Sequence, residues 1–170
     1  MSAFLSLLGV GFAGSAVKNI FEEFAWRGYL TPRLEALKSN PLISSVVTGV
    51  IWASWHIPYY LYFLNPTTLQ EQTSLSVPAI IIIALFMLPF QAFAYSELRL
   101  LSKSVWTTWL LHNIANSVSF ALVTGGFVTL SRNFSSVILT PGTDGIVYSL
   151  LMGLIGWGLY QHRIRSSKES

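Results

Sequence analysis

The chain has 170 residues, of which 52% are hydrophobic and only 10% are charged. Soluble domains carry about 25% charged residues, so this composition excludes a soluble enzyme, a disordered tail and a collagen-like fibre and indicates a membrane protein. The absence of cysteine excludes disulfides, thiolate metal sites and a cysteine nucleophile. The net charge is +3, but the basic residues are scattered at the ends of apolar stretches. We therefore expect contact with the lipid bilayer and not with nucleic acid.

Five apolar stretches are long enough, or nearly so, to cross a membrane. A hydrocarbon core about 30 Å thick needs about 20 residues of helix. The loops between the stretches are short, and there is no internal repeat. The sequence therefore predicts an all-α fold, a polytopic transmembrane helix bundle that forms a single domain over residues 1–170. The predicted spans are Met1–Val17, Leu42–Leu64, Val77–Tyr95, Val105–Thr124 and Val137–Tyr160, with the true start of the last at Pro141–Gly145.

Basic residues dominate alternate loops of this five-span arrangement. The second loop carries one acid and no base, and the fourth carries one of each, whereas the first, the third and the tail are basic. By the positive-inside rule, the N-terminus lies outside and the C-terminus in the cytoplasm, with the polar end of the first helix toward the cytoplasmic side. The charged residues concerned are Arg33, Lys38, Glu71, Arg99, Lys103, Arg132, Asp144, Arg163, Arg165 and Lys168.

The first cluster of polar residues that are energetically costly to bury in a membrane lies at the end of the first predicted helix. Glu23 and Arg27 are four residues apart and can pair on one helix face, whereas Glu22 points about 100° away. Two carboxylates beside one guanidinium, in environments that differ, suit general-base chemistry. The competing interpretation is an ion pair at the membrane boundary that serves structure alone.

The second and third clusters lie in the middle of other spans. His56 interrupts an uncharged stretch, with Trp52 one turn earlier and Pro58 expected to kink the helix. His112 and Asn116 share one face one turn apart, where they could hold a water or polarise a carbonyl. A lone histidine in such a stretch is more often a packing residue, and polar groups can simply join helices, as we expect of Asn113.

Taken together, these polar groups are expected to meet. Each charged group costs about 2.5–3.5 kcal/mol inside a bilayer, so groups from three spans should converge in one interior cavity. Two other polar residues of the third span are weaker candidates for the site. Gln91 is expected to bond to nearby backbone, and Glu97 to be solvated.

Three ordered motifs resemble the CPBP family, which includes CAAX-type prenyl endopeptidases and bacteriocin-processing (Abi) and self-immunity proteins. The motifs are Glu22-Glu23-x-x-x-Arg27, an aromatic-x-x-x-His at Trp52–His56, and His112-x-x-x-Asn116, within a motif core of residues 17–120. The segments FAWRGYLTPRL and IWASWHIP resemble the bacterial branch, which implies a prokaryotic source. Trp52 departs mildly from the family, which more often has Phe there.

The resemblance implies a glutamate-dependent protease that works within the bilayer of the cell membrane. Glu22 would be the base that activates water, helped by His56. Glu23 and Arg27 would orient groups and balance charge, while His112 and Asn116 would bind the oxyanion. The substrate would be a membrane-bound peptide or protein cleaved near the cytoplasmic face. The whole set of catalytic candidates is Glu22, Glu23, Arg27, His56, His112 and Asn116.

No cofactor is expected from the residues. Glutamate and histidine are zinc ligands, and the family is often classed with metalloproteases, so a divalent metal such as zinc is the alternative. Because the histidines lack H-x-x-x-H spacing, we favour a metal-free mechanism and expect no metal-binding residues.

Two other functions compete with proteolysis. A non-catalytic immunity or scaffold protein of the same fold would bind a toxin or a membrane partner. A proton-coupled transporter could use Glu and His as relays. The five spans, the lack of an inverted repeat and the one-sided polar cluster argue against transport.

Overall fold

A computed structural model describes residues 2–37, 40–65, 73–128, 138–139 and 145–169. In these residues the regular structure is helical, and no strand occurs. This confirms the predicted all-α bundle. The elements are α1 (Ser2–Glu23), a π-helical segment (Phe24–Leu30), α2 (Thr31–Ala36), α3 (Pro41–Pro58), a second π-helical segment (Tyr59–Phe63), α4 (Val77–Ser102), α5 (Val105–Thr124) and α6 (Ile146–Glu169).

The five long helices follow the five predicted spans. Helix α5 has the predicted bounds, and α1 and α4 run beyond their predicted ends. Two continuous helical stretches of the described chain, Ser2–Ala36 and Val77–Ser102, are long and apolar enough by themselves to cross a bilayer. That all five cross stays a prediction. Several residues used in the sequence predictions lie outside the described part of the chain, namely Lys38, Glu71, Arg132, Val137, Pro141 and Asp144.

Helix starts and ends follow local chemistry. The Asn40 side chain accepts a hydrogen bond from the Leu42 amide at 2.9 Å, and Pro41 follows as the first residue of α3. An Asn cap before a proline is a favoured helix start, because the proline lacks an N–H that would need a partner. Pro58 was expected to kink its helix. Helix α3 ends there, and the chain continues as the second π-helical segment.

The distribution of polarity is the reverse of that in a soluble protein. Large apolar side chains such as Phe21, Phe86 and Leu154 are more than two-thirds exposed. By contrast, Glu23 and Arg27 are fully buried. Apolar groups outside and charged groups inside are the pattern that a lipid environment imposes, because lipid cannot solvate charge. The chain is a membrane protein.

Helix α4 lies between α3 and α6, and α1 packs against α5. The approach of α3 to α4 is close because Gly49 has no side chain. A Cβ built on Gly49 would lie 2.4 Å from Cα of Pro89, which is backbone and cannot rotate away. Gly49 therefore sets the distance between these two helices.

Gly49→Ala is expected to lower the free energy of unfolding by about 1–3 kcal/mol, because the added methyl must push two helices apart. Thermal unfolding in detergent, followed by circular dichroism, measures this. The matched control is Gly14→Ala, where a Cβ meets nothing within 4 Å. There the change should stabilise the helix by about 0.5–1 kcal/mol. Equal stability of the two variants would contradict the close contact.

One expectation for α4 was wrong. Glu97 is only 1% exposed, because Arg163 of α6 forms two hydrogen bonds with its carboxylate, Nε–Oε2 at 2.7 Å and Nη2–Oε1 at 3.0 Å. Gln91 Nε2 donates to Ser149 Oγ of α6 at 2.8 Å, and its expected bond to nearby backbone stays a prediction. These contacts hold α6 in register with α4.

Candidate active site

One face of α1 carries small or polar residues at every fourth position. The stripe includes Ser15, Asn19 and Glu23, which contact α5. Arg27 continues it into the first π-helical segment. Asn113 of α5 accepts from Ser15 Oγ at 2.6 Å and from Asn19 Nδ2 at 3.0 Å. Asn113 also donates to the Phe12 carbonyl at 3.0 Å. The expected helix-joining role of Asn113 agrees with these contacts, which fix α1 against α5.

Glu23 joins two of the predicted site residues. Its Oε1 accepts from Arg27 Nη1 at 2.9 Å and from His112 Nδ1 at 2.9 Å. Glu23 and Arg27 are both 0% exposed. Because the carboxylate can only accept, Nδ1 of His112 carries the hydrogen, and Nε2 is the acceptor nitrogen of the neutral ring. Glu23 therefore fixes the orientation and tautomer of His112.

The Arg27 guanidinium lies between two aromatic faces. Its Cζ is 4.3 Å from the Trp52 ring centroid and 4.6 Å from that of Tyr95. Of its nitrogens, Nε and Nη2 have no hydrogen-bond partner in the described part of the chain. Ring quadrupoles attract a desolvated cation, so these rings substitute for part of the missing solvation. The Arg27 main-chain oxygen accepts from Arg99 Nε at 3.1 Å.

Glu22 points to a different face, as its position next to Glu23 predicts. Its Oε1 lies 2.7 Å from Lys18 Nζ, and its Oε2 accepts from Trp52 Nε1 at 3.0 Å. Glu22 is 5% exposed. An aromatic residue without an N–H, such as phenylalanine, could not supply the bond from Trp52. The Trp52 indole therefore holds the carboxylate that the sequence singles out as the base.

Glu22 and His56 line one open cavity of about 840 Å³. Most of its wall is apolar or aromatic, with contributions from both π-helical segments through Trp26 and Tyr59. Departures from α-helix of this kind are frequent at functional sites. The lining residues are Lys18, Phe21, Glu22, Ala25, Trp26, Trp55, His56 and Tyr59.

The tautomer of His56 follows from its hydrogen bond. Nδ1 lies 2.9 Å from the Trp52 carbonyl oxygen, which can only accept. Nδ1 therefore carries the hydrogen, and in the neutral ring Nε2 is the acceptor nitrogen. A neutral imidazole held in this way can take a proton, as a general base must.

His112 and Asn116 line a second, much smaller cavity of about 20 Å³. Asn116 Nδ2 donates to Asn19 Oδ1 at 3.1 Å, which leaves a second N–H on the same amide. Trp52 also lines this cavity, and its ring centroid is 5.4 Å from that of His112. The remaining lining residues are Gln91, Tyr95, Ala115, Ser119 and Tyr148.

Four of the six predicted residues line two separate cavities, and Trp52 contacts Glu22, Arg27, His56 and His112. Glu22 and His56 face the large cavity, whereas His112 and Asn116 face the small one. The fully buried pair of Glu23 and Arg27 lines neither cavity.

Sequence reasoning missed three neighbours of the site. Lys18 pairs with Glu22, Tyr95 packs on Arg27, and Tyr148 lines the small cavity. A signal existed for Lys18, which lies four residues before Glu22 on the same helix. No comparable signal marks the two tyrosines, because they reach the site from α4 and α6.

The site contains glutamate and histidine side chains, which are possible zinc ligands. In the described ranges, no group of three or more His, Asp or Glu side chains is placed to hold a metal ion. Glu22 and His56 would supply two protein ligands at most in the large cavity. The preference for a metal-free mechanism stays a prediction.

Comparison with known protein families finds a match. The model of the family described as type II CAAX prenyl endopeptidase Rce1-like matches residues 4–118, which is more than half of the chain. The matched region contains all six predicted site residues. Comparison with curated proteins and with solved structures finds no match. The chain belongs to the type II CAAX prenyl endopeptidase Rce1-like family.

Proposed function

We propose that this chain is an intramembrane endopeptidase that hydrolyses a peptide bond in a membrane-associated substrate. Membership of the family supports a protease at the level of reaction class. The observation that carries the finer proposal is the shared cavity of Glu22 and His56, in which a carboxylate and an imidazole from two helices face one space. Activation of water needs such a pair.

In the proposed reaction, Glu22 takes a proton from water while the water oxygen bonds to the carbonyl carbon. His56, with Nε2 as acceptor, orients the same water. The carbonyl π electrons move to oxygen and form a tetrahedral oxyanion. The proton then passes to the amide nitrogen, the C–N bond breaks, and one water has become part of a new carboxyl and a new amine terminus.

The remaining predicted residues are proposed to stabilise the oxyanion and to orient and neutralise the groups around it. His112 and Asn116 are proposed to donate hydrogen bonds to the oxyanion, and such donors are worth most where water is excluded. Because Glu23 accepts from Nδ1 of His112, Nε2 of that ring can donate to the oxyanion only in the imidazolium form. Arg27 offsets the charge of Glu23.

The substrate and the membrane orientation are proposed on the same grounds. The wall of the large cavity is predominantly apolar or aromatic, which suits an apolar or lipid-bearing segment of a membrane-bound peptide. The charge of the loops supports an orientation with the polar end of α1 toward the cytoplasmic side. We retain the metal-free mechanism, with a zinc-assisted one as the alternative.

His56→Ala is expected to lower kcat for cleavage by about 10²-fold or more, because it removes one of the two groups that handle the proton. The protein is reconstituted in phosphatidylcholine–phosphatidylglycerol vesicles with quenched fluorescent peptides that carry a prenyl or an acyl chain. Mass spectrometry in ¹⁸O water identifies the bond that is hydrolysed, because one labelled oxygen enters the new carboxyl terminus.

The matched control is His162→Ala, because His162 is an exposed histidine of α6 that lines neither cavity. This variant should cleave like the wild type. Full activity of folded His56→Ala would overturn the role of His56. Binding of the peptides without any cleavage by the wild type would favour the non-catalytic immunity or scaffold alternative.

A further inference from the structure

The geometry points to Tyr148 as a third hydrogen-bond donor to the oxygen atom of the bound substrate, acting from the small cavity beside His112 and Asn116. The inference rests on the proposed peptidase function. Tyr148 lies in α6, outside the matched region of residues 4–118. Neither the motifs nor the family match assigns it a role.

The size of the small cavity suits one oxygen atom. Its volume is about 20 Å³, and a site needs about 10–15 Å³ to hold one water-sized group. Every lining residue except Ala115 carries a polar group. A peptide cannot enter this space, but a single carbonyl oxygen can.

Two tyrosine hydroxyl groups belong to this cavity. Tyr95 and Tyr148 both line it, beside His112 and Asn116. Each phenol carries one O–H donor. If one hydroxyl donates to the other, the second proton is still available to a third group in the oxygen-sized space.

A third donor is chemically useful here because the other two are limited. One N–H of Asn116 is already used by Asn19. Nε2 of His112 donates only when the ring is protonated, since Glu23 holds the hydrogen on Nδ1. A phenol donates without a change of protonation, so Tyr148 can stabilise the oxyanion from the start of the reaction.

Helix α6 is held in the register that this role requires. Ser149, next to Tyr148, accepts the Gln91 bond at 2.8 Å and is 0% exposed. A Cβ on Gly156 would lie 2.8 Å from the Ala94 nitrogen, so α6 touches α4 directly. Farther along α6, Arg163 donates two hydrogen bonds to the Glu97 carboxylate. These contacts place Tyr148 at the cavity and limit sliding of α6.

Tyr148→Phe, which removes the hydroxyl and keeps the ring, is expected to lower kcat by about 10²-fold, as loss of one oxyanion donor does elsewhere. KM and the unfolding temperature should stay near the wild-type values. The probe is the lipid-bearing quenched peptide cleaved fastest by the wild type, in the same vesicles. Tyr95→Phe should lose less, because Tyr148 keeps its own proton.

The matched control is Tyr160→Phe on the same helix, whose ring packs on Phe93 and Trp157. It should leave kcat unchanged. If Tyr148→Phe cleaves like Tyr160→Phe, or loses stability and kcat together, the donor role is overturned while the peptidase proposal stands. If the wild type cleaves no peptide, it is the proposed function that fails.

Discussion

Glu22→Gln is expected to lower kcat for peptide cleavage by about 10⁴-fold, the upper end of what a general base contributes. Glutamine has nearly the same shape, and its Oε1 can still accept the Trp52 N–H bond that now lies at 3.0 Å. It cannot take a proton from water. Steady-state cleavage of the lipid-bearing peptide in vesicles measures the effect, and circular dichroism checks that the helices persist.

Glu35→Gln is the control for this substitution. Glu35 lies in α2 and is partly exposed, and its Oε1 is 3.4 Å from Arg163 Nη1. Such a surface pair is worth about 0–1 kcal/mol. Its loss should leave cleavage unchanged. If Glu22→Gln kept the wild-type rate, Glu22 could not be the base, and water activation would have to be assigned to another group.

Spacing within one helix predicted much of the site. The pairing of Glu23 with Arg27 and the shared face of His112 and Asn116 both follow from the helical repeat. The orientation of Glu22 away from Glu23 follows from the same rule. These contacts need only local geometry, which a sequence contains.

Contacts between helices could not be predicted in this way. The burial of Glu97 depends on Arg163, a residue 66 positions later in the chain. The same holds for the bond of Gln91 to Ser149 and for the cavity wall that Tyr95 and Tyr148 share, because each pair requires the register of α6 against α4. Apolar periodicity sets which face is buried but leaves this register open.

The division of the polar residues into two compartments was also beyond sequence reasoning. Polarity alone predicted one shared cavity for all six groups. In the structure the Trp52 indole contacts both groups: its Nε1 donates to Glu22 at 3.0 Å, and its ring centroid lies 5.4 Å from that of His112. A large aromatic residue can separate two polar spaces and still bond to a group in one of them, and only packing reveals this.

Arg27→Met is expected to lower the free energy of unfolding by about 3–5 kcal/mol, because it leaves the buried Glu23 without its cation. It also removes the guanidinium from between the Trp52 and Tyr95 rings. Arg33→Met is the matched control, since Arg33 stacks on the exposed Tyr29 at 4.8 Å. Loss of an exposed contact of this kind costs about 0.5–1 kcal/mol.

Adding Glu23→Gln to Arg27→Met separates charge from packing. The double variant leaves no uncompensated charge, and the glutamine oxygen can still accept from His112 Nδ1. Recovery of about 1–3 kcal/mol relative to Arg27→Met alone is therefore expected in unfolding experiments. A double variant less stable than Arg27→Met would mean that the pair is held by shape and not by charge. Recovery of stability without recovery of cleavage would mean that cleavage needs the charges of the buried pair and not only the orientation of His112.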